Sequence, residues 1–410
     1  MKLILVDDAR ARHWSPFAET RPVGELRFGA LLLRERAERW WGTACRGHLI
    51  SGSATSPVSL EGFDEPGSPP VLGPAAAREP GTLLWLSRAA PMLSARVPAL
   101  PDQETRSFTM DGTVVGLWLP PGGYAPEAEG VLGGTVPPSV EAEAVPGVLL
   151  EWPWHLVEEN ADTLGRDLLH LHPGGGSYLA PGVHRVGDGA VSLGHGAEVG
   201  PGVILDTRDG PIRLDDGVVV EGPARLVGPL HLGAGSVVFG GSLSRVSAGP
   251  ACKLRGEVDT TVLLGYANKA HDGYLGHALV GRWVNLGALT TNSDLKNDYG
   301  PVRVDLPSGT VDTRLMKVGV FLGDHVKTGI GTVLNTGSVV GAGSNVFGGG
   351  MPPKALPPYS WAGGGTVTPF RWEKFLGVAR TVTARRDQPW TPGVEAVLRR
   401  LWDATHGGTR

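Results

Sequence analysis

The stretch "NKAHDGYLGHALVG", residues 268–281, brings His271, Asp272 and Tyr274 close together in the chain. An imidazole titrates near neutral pH, so His271 suits general acid–base work, which contributes ~10²–10⁴-fold to a rate. Asp272 beside it can orient or tune the ring. The bland alternative is an irregular corner in which His271 merely satisfies a hydrogen bond. Cationic residues crowd the same half of the chain, where seven of the eight lysines fall between Lys253 and Lys374. Lys253, Arg255, Lys269, Lys327 and Lys354 are candidates for holding an anion such as a phosphate, against the alternative of a solvated face. The stretch "TTNSDLKNDYGPVRVDLPSGTVDTRLMKVG" offers Asn292, Asp294, Lys296 and Asn297, amides and charges suited to a sugar or phosphate or to a subunit contact. At the front, Asp7 and Asp8 end an apolar run and Arg10, Arg12 and Arg21 follow. The carboxylates suit a metal and the guanidiniums a phosphate, or the pair is just a polar strand end. The "HLH" of His170 and His172 lacks further partners, His195, His231 and His325 read as turn decorations, and no metal site is implied by spacing.

These residues need elements to hold them. From about residue 181 an aliphatic side chain recurs every sixth position: Leu193, Val199 and Leu205; Leu226, Leu232 and Val238; Val246, Cys252, Val258, Leu264 and Ala270; Val280 and Leu286; then Leu322, Thr328, Leu334, Val340 and Val346. A period of six fits a parallel β-helix of hexapeptide coils, with the aliphatic residue inside a triangular prism and glycine relieving its corners. The front segment reads as α/β. "KLILV" is a strand, and "GTLLWLS" and "VVGLWLP" are further strands. Val23, Leu26, Ala30, Leu33, Ala37 and Trp40 make one helical stripe with Thr20 as cap candidate and Gly42 at its end. Residues 64–80 and 120–147 read as loops, and residues 152–171 as a connecting helix. The expected organisation is an α/β domain over 1–155, a linker helix over 156–180, a β-helix over 181–365, and a helical segment over 366–410 capping the open end of the prism.

Composition narrows the classes. A net charge of −4 argues against an electrostatic nucleic-acid footprint. Two cysteines, Cys45 and Cys252, cannot build a disulfide framework, and "MKLILVDDAR" is too short for a signal or membrane segment. The expectation is a cytoplasmic protein without a membrane partner.

Several stretches resemble the bifunctional sugar-1-phosphate nucleotidyltransferase/acetyltransferases of the UDP-N-acetylglucosamine-synthesising type, in a divergent bacterial branch. They are "DDARARHWSPFAETRPVGELRFG", "WPWHLVEEN", "NKAHDGYLGHALVGRWVNLGALTTNSDLKNDYG" and "GDHVKTGIGTVLNTGSVVGAGSNVFG". The resemblance implies a left-handed β-helix and a nucleotidyltransferase-like front domain. It implies His271 as general base, Tyr274 and Asn285 holding the sugar phosphate or its amine, and Ala288 of "NLGA" touching the acetyl group, with Lys327 and Lys354 toward acetyl-CoA. It further implies a homotrimer, and Mg²⁺ with UTP or TTP for the front domain. The family's Gly-rich phosphate loop is replaced here by "ILVDDARARHW", which has no glycine to let a phosphate approach the backbone. The expected function is acetyl-CoA-dependent N-acyl transfer to an amino-sugar phosphate, with nucleotidyl transfer as a further activity. The alternatives are a nucleotidyltransferase with a regulatory or trimerising β-helix, or a non-catalytic nucleotide-sugar-binding scaffold.

Overall fold

A computed structural model describes residues 1–50, 58–121, 132, 141–172 and 179–407. Much of the expected 120–147 loop and residues 173–178 of the expected linker lie outside the described residues.

The strand Lys2–Asp7 is buried at every position after Lys2, as an apolar run in the middle of a parallel arrangement must be. It lies between Thr82–Leu86 and Cys45–Ile50, parallel to both. The full sheet order is Glu141–Ala144, Arg106–Met110, Thr113–Leu119, Thr82–Leu86, Lys2–Asp7, Cys45–Ile50, Val71–Leu72. The expected strands in "GTLLWLS" and "VVGLWLP" are Thr82–Leu86 and Thr113–Leu119. On one face Trp40 and Trp41 of the helix Leu33–Trp41 pack into a cluster with Trp85 and Phe108.

The long helical stripe expected from Val23 to Trp40 does not form as one helix. A 3-10 turn, Val23–Glu25, leads into a hairpin of Arg27–Phe28 and Leu31–Leu32, and only Leu33–Trp41 is α-helical. Gly29 turns the hairpin at φ 64°, and a side chain there would collide with Asp167 and Arg36. The hairpin's amides are satisfied from outside. Gly29 N donates to Asn160 Oδ1 (2.9 Å) and Ala30 N to Asp167 Oδ2 (3.0 Å). Tertiary partners therefore override the helical period, and Thr20 caps nothing. The helix does stop at Gly42, whose φ is 67°.

The expected connecting helix forms in two pieces, His155–Glu158 and Asn160–Leu171. Its buried face, including Leu164 and Leu168, packs on the front hairpin and on the prism.

From His184 to Gly363 the chain coils as a parallel β-helix. Ladder registers align three inward columns. One is Leu205, Leu226, Leu243, Val258 and Leu275. The second is Leu193, Leu214, Leu232, Ala248, Leu263, Val280, Leu322, Val340 and Leu356. The third is Val199, Val220, Val238, Leu254, Lys269, Leu286, Thr328, Val346 and Ala362. Inward places then run Val238, Leu243, Ala248, Leu254 and Val258, so the six-residue step is already broken where Gly241–Ala248 bends at Arg245, φ 53°, and Val246 and Cys252 are buried in the prism but lie outside these columns. The strand Glu257–Leu263 bends at Thr260, φ 42°, so Leu263 and Lys269 take the inward places expected for Leu264 and Ala270. Leu264 instead faces the front domain, in a cluster with Trp14, Phe17, Phe28, Trp154, Leu279 and Phe321. At ~1.5–3 kcal/mol for each large apolar side chain buried, this cluster is what holds the two halves together.

The C-terminal segment does not close the prism's end. Helices Trp372–Ala384 and Pro392–His406 lie along its flank, because their apolar face of Phe375, Ala379, Leu398 and Leu401 meets Ala342 and Tyr359 there. Tyr359 donates to Leu398 O (2.7 Å), and Arg386 reaches Ala251 O (3.1 Å) and Asn268 Oδ1 (2.7 Å). The last coil strand, Ser360–Gly363, is instead paired by the antiparallel strand Thr366–Pro369. Among the described residues no helix is long and apolar enough to cross a membrane.

Candidate active site

The corner after Asn268–Lys269 carries His271, whose imidazole is exposed and lines an open groove of about 790 Å³. Lys253, Arg255, Asn268, Asn285 and Ala288 line it too. Their placement follows from coil geometry. Lys253, Asn268 and Asn285 occupy the same outward register position on successive rungs, so their side chains stack as a polar row. Asn268 Nδ2 donates to Asn285 Oδ1 (3.2 Å), and Arg386 from the flanking helix holds Asn268 from the other side. Sequence reading missed Asn268, although its spacing of one coil from Lys253 and from Asn285 was a usable signal. Lys327 continues the row one rung beyond Asn285, outside the groove lining. Burial pushes its ammonium down to about 8.

Asp272 does not serve His271. Its carboxylate accepts from Arg255 Nε (3.0 Å), which fixes the guanidinium at the groove edge. Tyr274 turns away from the groove: its hydroxyl donates to Asp294 Oδ2 (2.7 Å), the oxygen that also meets His277 Nδ1 (2.7 Å). Burial and then the bond to Asp294 raise the Tyr274 phenol above its ordinary range. For Asp294, burial pushes upward, but the bonds from His277 and Tyr274 hold the carboxylate below its usual value. The expected grouping of His271, Tyr274 and Asn285 thus separates, with His271 and Asn285 in the groove and Tyr274 in a latch at the base of the 295–317 loop.

Two expected sugar ligands are inside the prism. Lys269 is 1% exposed, and its ammonium donates to Arg255 O (3.2 Å) and to His271 O. Burial lowers it to about 8. Its effect on the site is indirect, because it ties down the turn that presents His271. Asn292 is likewise buried, with its amide bonded to Gly276 N (3.0 Å) and Gly276 O (3.0 Å). Lys296 and Lys354 line a separate hollow, and Asn297 is exposed in the loop beyond it.

The front residues are all engaged. Asp7 is fully buried and accepts from Val23 N (3.0 Å), with Arg12 Nη1 at 3.4 Å. Asp8 caps the short helix Ala9–Arg12 through Ala11 N (2.9 Å) and pairs with Arg88 (2.9 Å). Arg10 pairs with Glu151 (3.2 Å) over the Trp152 ring. Arg21 is clamped between Asp324 of the prism (2.6 Å) and Glu65 (2.5 Å), which also binds Arg282 (2.6 Å). In open α/β sheets the ligand crevice lies at the carboxyl ends of the strands. Here that end carries Trp14 and Phe17, buried against the prism. A magnesium-bound nucleoside triphosphate needs open carboxylates and guanidiniums, so these five residues do not fit one. Among the described residues, no group of three or more His, Cys, Asp or Glu is placed to hold a metal ion.

An α/β domain docked on a parallel hexapeptide β-helix defines the fold. Residues 3–174 match the sugar nucleotidyl transferase family. A bifunctional sugar-1-phosphate nucleotidylyltransferase/acetyltransferase of Sulfurisphaera tokodaii is 30% identical over 95 residues, 23% of this chain and 24% of that protein. The bifunctional protein GlmU of Methanocaldococcus jannaschii is 34% identical over 86 residues, 21% of each chain. The matched part thus spans about a quarter or less of these curated relatives. A solved Arabidopsis UDP-N-acetylglucosamine acyltransferase covers 57% of this chain and 99% of its own at 12% identity with a TM-score of 0.25. The front of the chain is thus similar to the sugar nucleotidyl transferase family, and a shorter stretch is similar to the bifunctional transferases.

Proposed function

We propose that the protein transfers an acyl group from acetyl-CoA to the amine of an amino-sugar phosphate, in the groove at His271. One observation carries this reading: an exposed imidazole shares an open groove of about 790 Å³ with two unburied cationic side chains and a pair of amides. His271 takes the proton that the attacking amine must lose as the new amide bond forms, and returns it to the departing thiolate. Lys253 and Arg255 attract the sugar's phosphate, Arg255 being held in place by Asp272. Asn268 and Asn285 offer amide groups to sugar hydroxyls or to the developing oxyanion. Ala288, small and in the groove lining, leaves room for the acyl group, and Lys327 on the next rung lies toward the rest of the acyl donor. The open groove fits completion by a neighbouring copy, in a cytoplasmic homotrimer whose mass light scattering would measure.

His271→Ala is expected to lower acetyl transfer to glucosamine 1-phosphate at least 100-fold while leaving the unfolding midpoint unchanged. Turnover equal to wild type removes His271 as the base. A second reading, nucleotidyl transfer to a sugar 1-phosphate, draws on the family match of residues 3–174. Pyrophosphate release from UTP or TTP with Mg²⁺ tests it, and none is expected. Nucleotide-sugar binding without acetyl transfer to any amino sugar favours the scaffold alternative.

A further inference from the structure

The long insertion between the Asn285–Leu286 and Lys327–Thr328 rungs folds back as a hairpin, Arg303–Leu306 against Gly309–Asp312. Val302, Val304 and Leu306 of this arm seat against Val339 of the prism. Between arm and prism lies a hollow of about 480 Å³, lined by Lys296, Arg303, Lys354, Asn335, Thr336 and Asp312. It shares no lining residue with the His271 groove.

Its charge is unbalanced. Three cations face one lining carboxylate, Asp312. Lys296 has an ion-pair partner, Asp298 at 3.0 Å, whereas among the described residues neither Arg303 nor Lys354 has a carboxylate within ion-pairing reach. Lys354 is kept in place by donating to Arg303 O, so the arm itself fixes one of the cations. Burial pushes the Lys354 ammonium down, Asp305 raises it, and Lys296 lowers it further, as expected where two ammoniums share a small space.

A second observation points into the same hollow. Thr336 is only 6% exposed, and its hydroxyl is buried without a hydrogen-bond partner. A buried hydroxyl left without a partner is destabilising, and such groups are rare in folded proteins. Beside it, Asn335 Oδ1 accepts from Thr336 N (2.8 Å), an arrangement that leaves its NH₂ group to donate elsewhere. The walls of the space therefore carry a guanidinium, two ammoniums, an amide and a hydroxyl.

We propose that this hollow is a second ligand site, which takes a phosphomonoester and is separate from the acyl-transfer groove. Arg303 and Lys354 bind the phosphate oxygens, with Thr336 and Asn335 as neutral donors. At ~30 Å³ per water, a bare phosphate would leave most of the hollow empty, so an ester is expected to bind more tightly than inorganic phosphate. The inference does not depend on acyl transfer at His271.

Calorimetry on the full chain tests it with three probes: inorganic phosphate, glucose 1-phosphate and adenosine 5′-monophosphate. At least one ester is expected to bind saturably and more tightly than phosphate, with an affinity that falls as salt rises. The double variant R303Q/K354Q should bind at least 10-fold more weakly. T336V, nearly isosteric, should bind at least three-fold more weakly while its unfolding midpoint stays level or rises, because the unpartnered hydroxyl is gone. H271A should bind as wild type does. No saturable binding of an ester below about 10 mM overturns the proposal. So does unchanged affinity in either R303Q/K354Q or T336V, and so does loss of binding in H271A.

Discussion

The end of the first strand and the corner at residue 271 carry similar chemical groups and put them to opposite uses. Asp7, Asp8, Arg12 and Arg21 are a phosphate-and-metal set by residue type, yet each is buried or paired: Asp7 with a backbone amide, Asp8 with Arg88, Arg21 with Asp324. His271, Lys253 and Arg255 face an open groove. Residue type alone does not make a site. What separates the two regions is access to solvent and donor capacity left unspent. Of the front region's charges, Arg21 ties the two halves of the molecule together, and a guanidinium committed to two carboxylates has little left for a ligand.

The largest expected effect tests the structural half of this contrast. Asp324→Ala strips Arg21 of its more deeply buried partner, and breaking such a pair costs about 3–5 kcal/mol. The denaturant midpoint should fall steeply, whereas His271→Ala should leave it within about 0.5 kcal/mol of wild type. A cost for Asp324→Ala below about 1 kcal/mol would mean that the junction is not what stabilises the chain.

Lys269 sits on the boundary between the two regions, since it is buried like the front residues but tied to the turn that presents His271. Its folded value of about 8 lies below the ordinary 10.5, so the folded state holds its proton less tightly than the unfolded chain does. Stability should therefore rise with pH across the window from about 8 to 10.5, by roughly 3 kcal/mol at most, and this rise should be missing in Lys269→Met. Identical pH profiles for the two proteins would place the ammonium in water rather than in the prism.

A smaller effect is expected from Tyr274→Phe. With its hydroxyl spent on Asp294, its loss should cost about 1 kcal/mol of stability and less than 10-fold in acetyl transfer. A 100-fold loss would return Tyr274 to the groove. Smallest of all, Arg10→Ala removes a partly exposed pair with Glu151 and should change stability by less than about 1 kcal/mol in thermal melts.

The six-residue period was readable because each hexapeptide segment of a coil buries one aliphatic side chain, a local rule that survives without knowledge of neighbours. Lys269 was not, because bends at Arg245 and Thr260 on successive rungs shifted the inward register, and a slip of one turns every side chain to the other face. The front helix was over-read because Asn160 and Asp167, far along the chain, hold the Gly29 hairpin in place.

The amino-acid order by itself determined the repeating prism, the apolar first strand, and the absence of a glycine phosphate loop, since each depends on residues near one another in the chain. Tertiary structure alone decided which charges are free. Arg21 meets Asp324, Tyr274 meets Asp294, and Arg303 joins Lys354 only when distant coils come together. A charge's reactivity depends on its partners and its water, and both are properties of the folded chain.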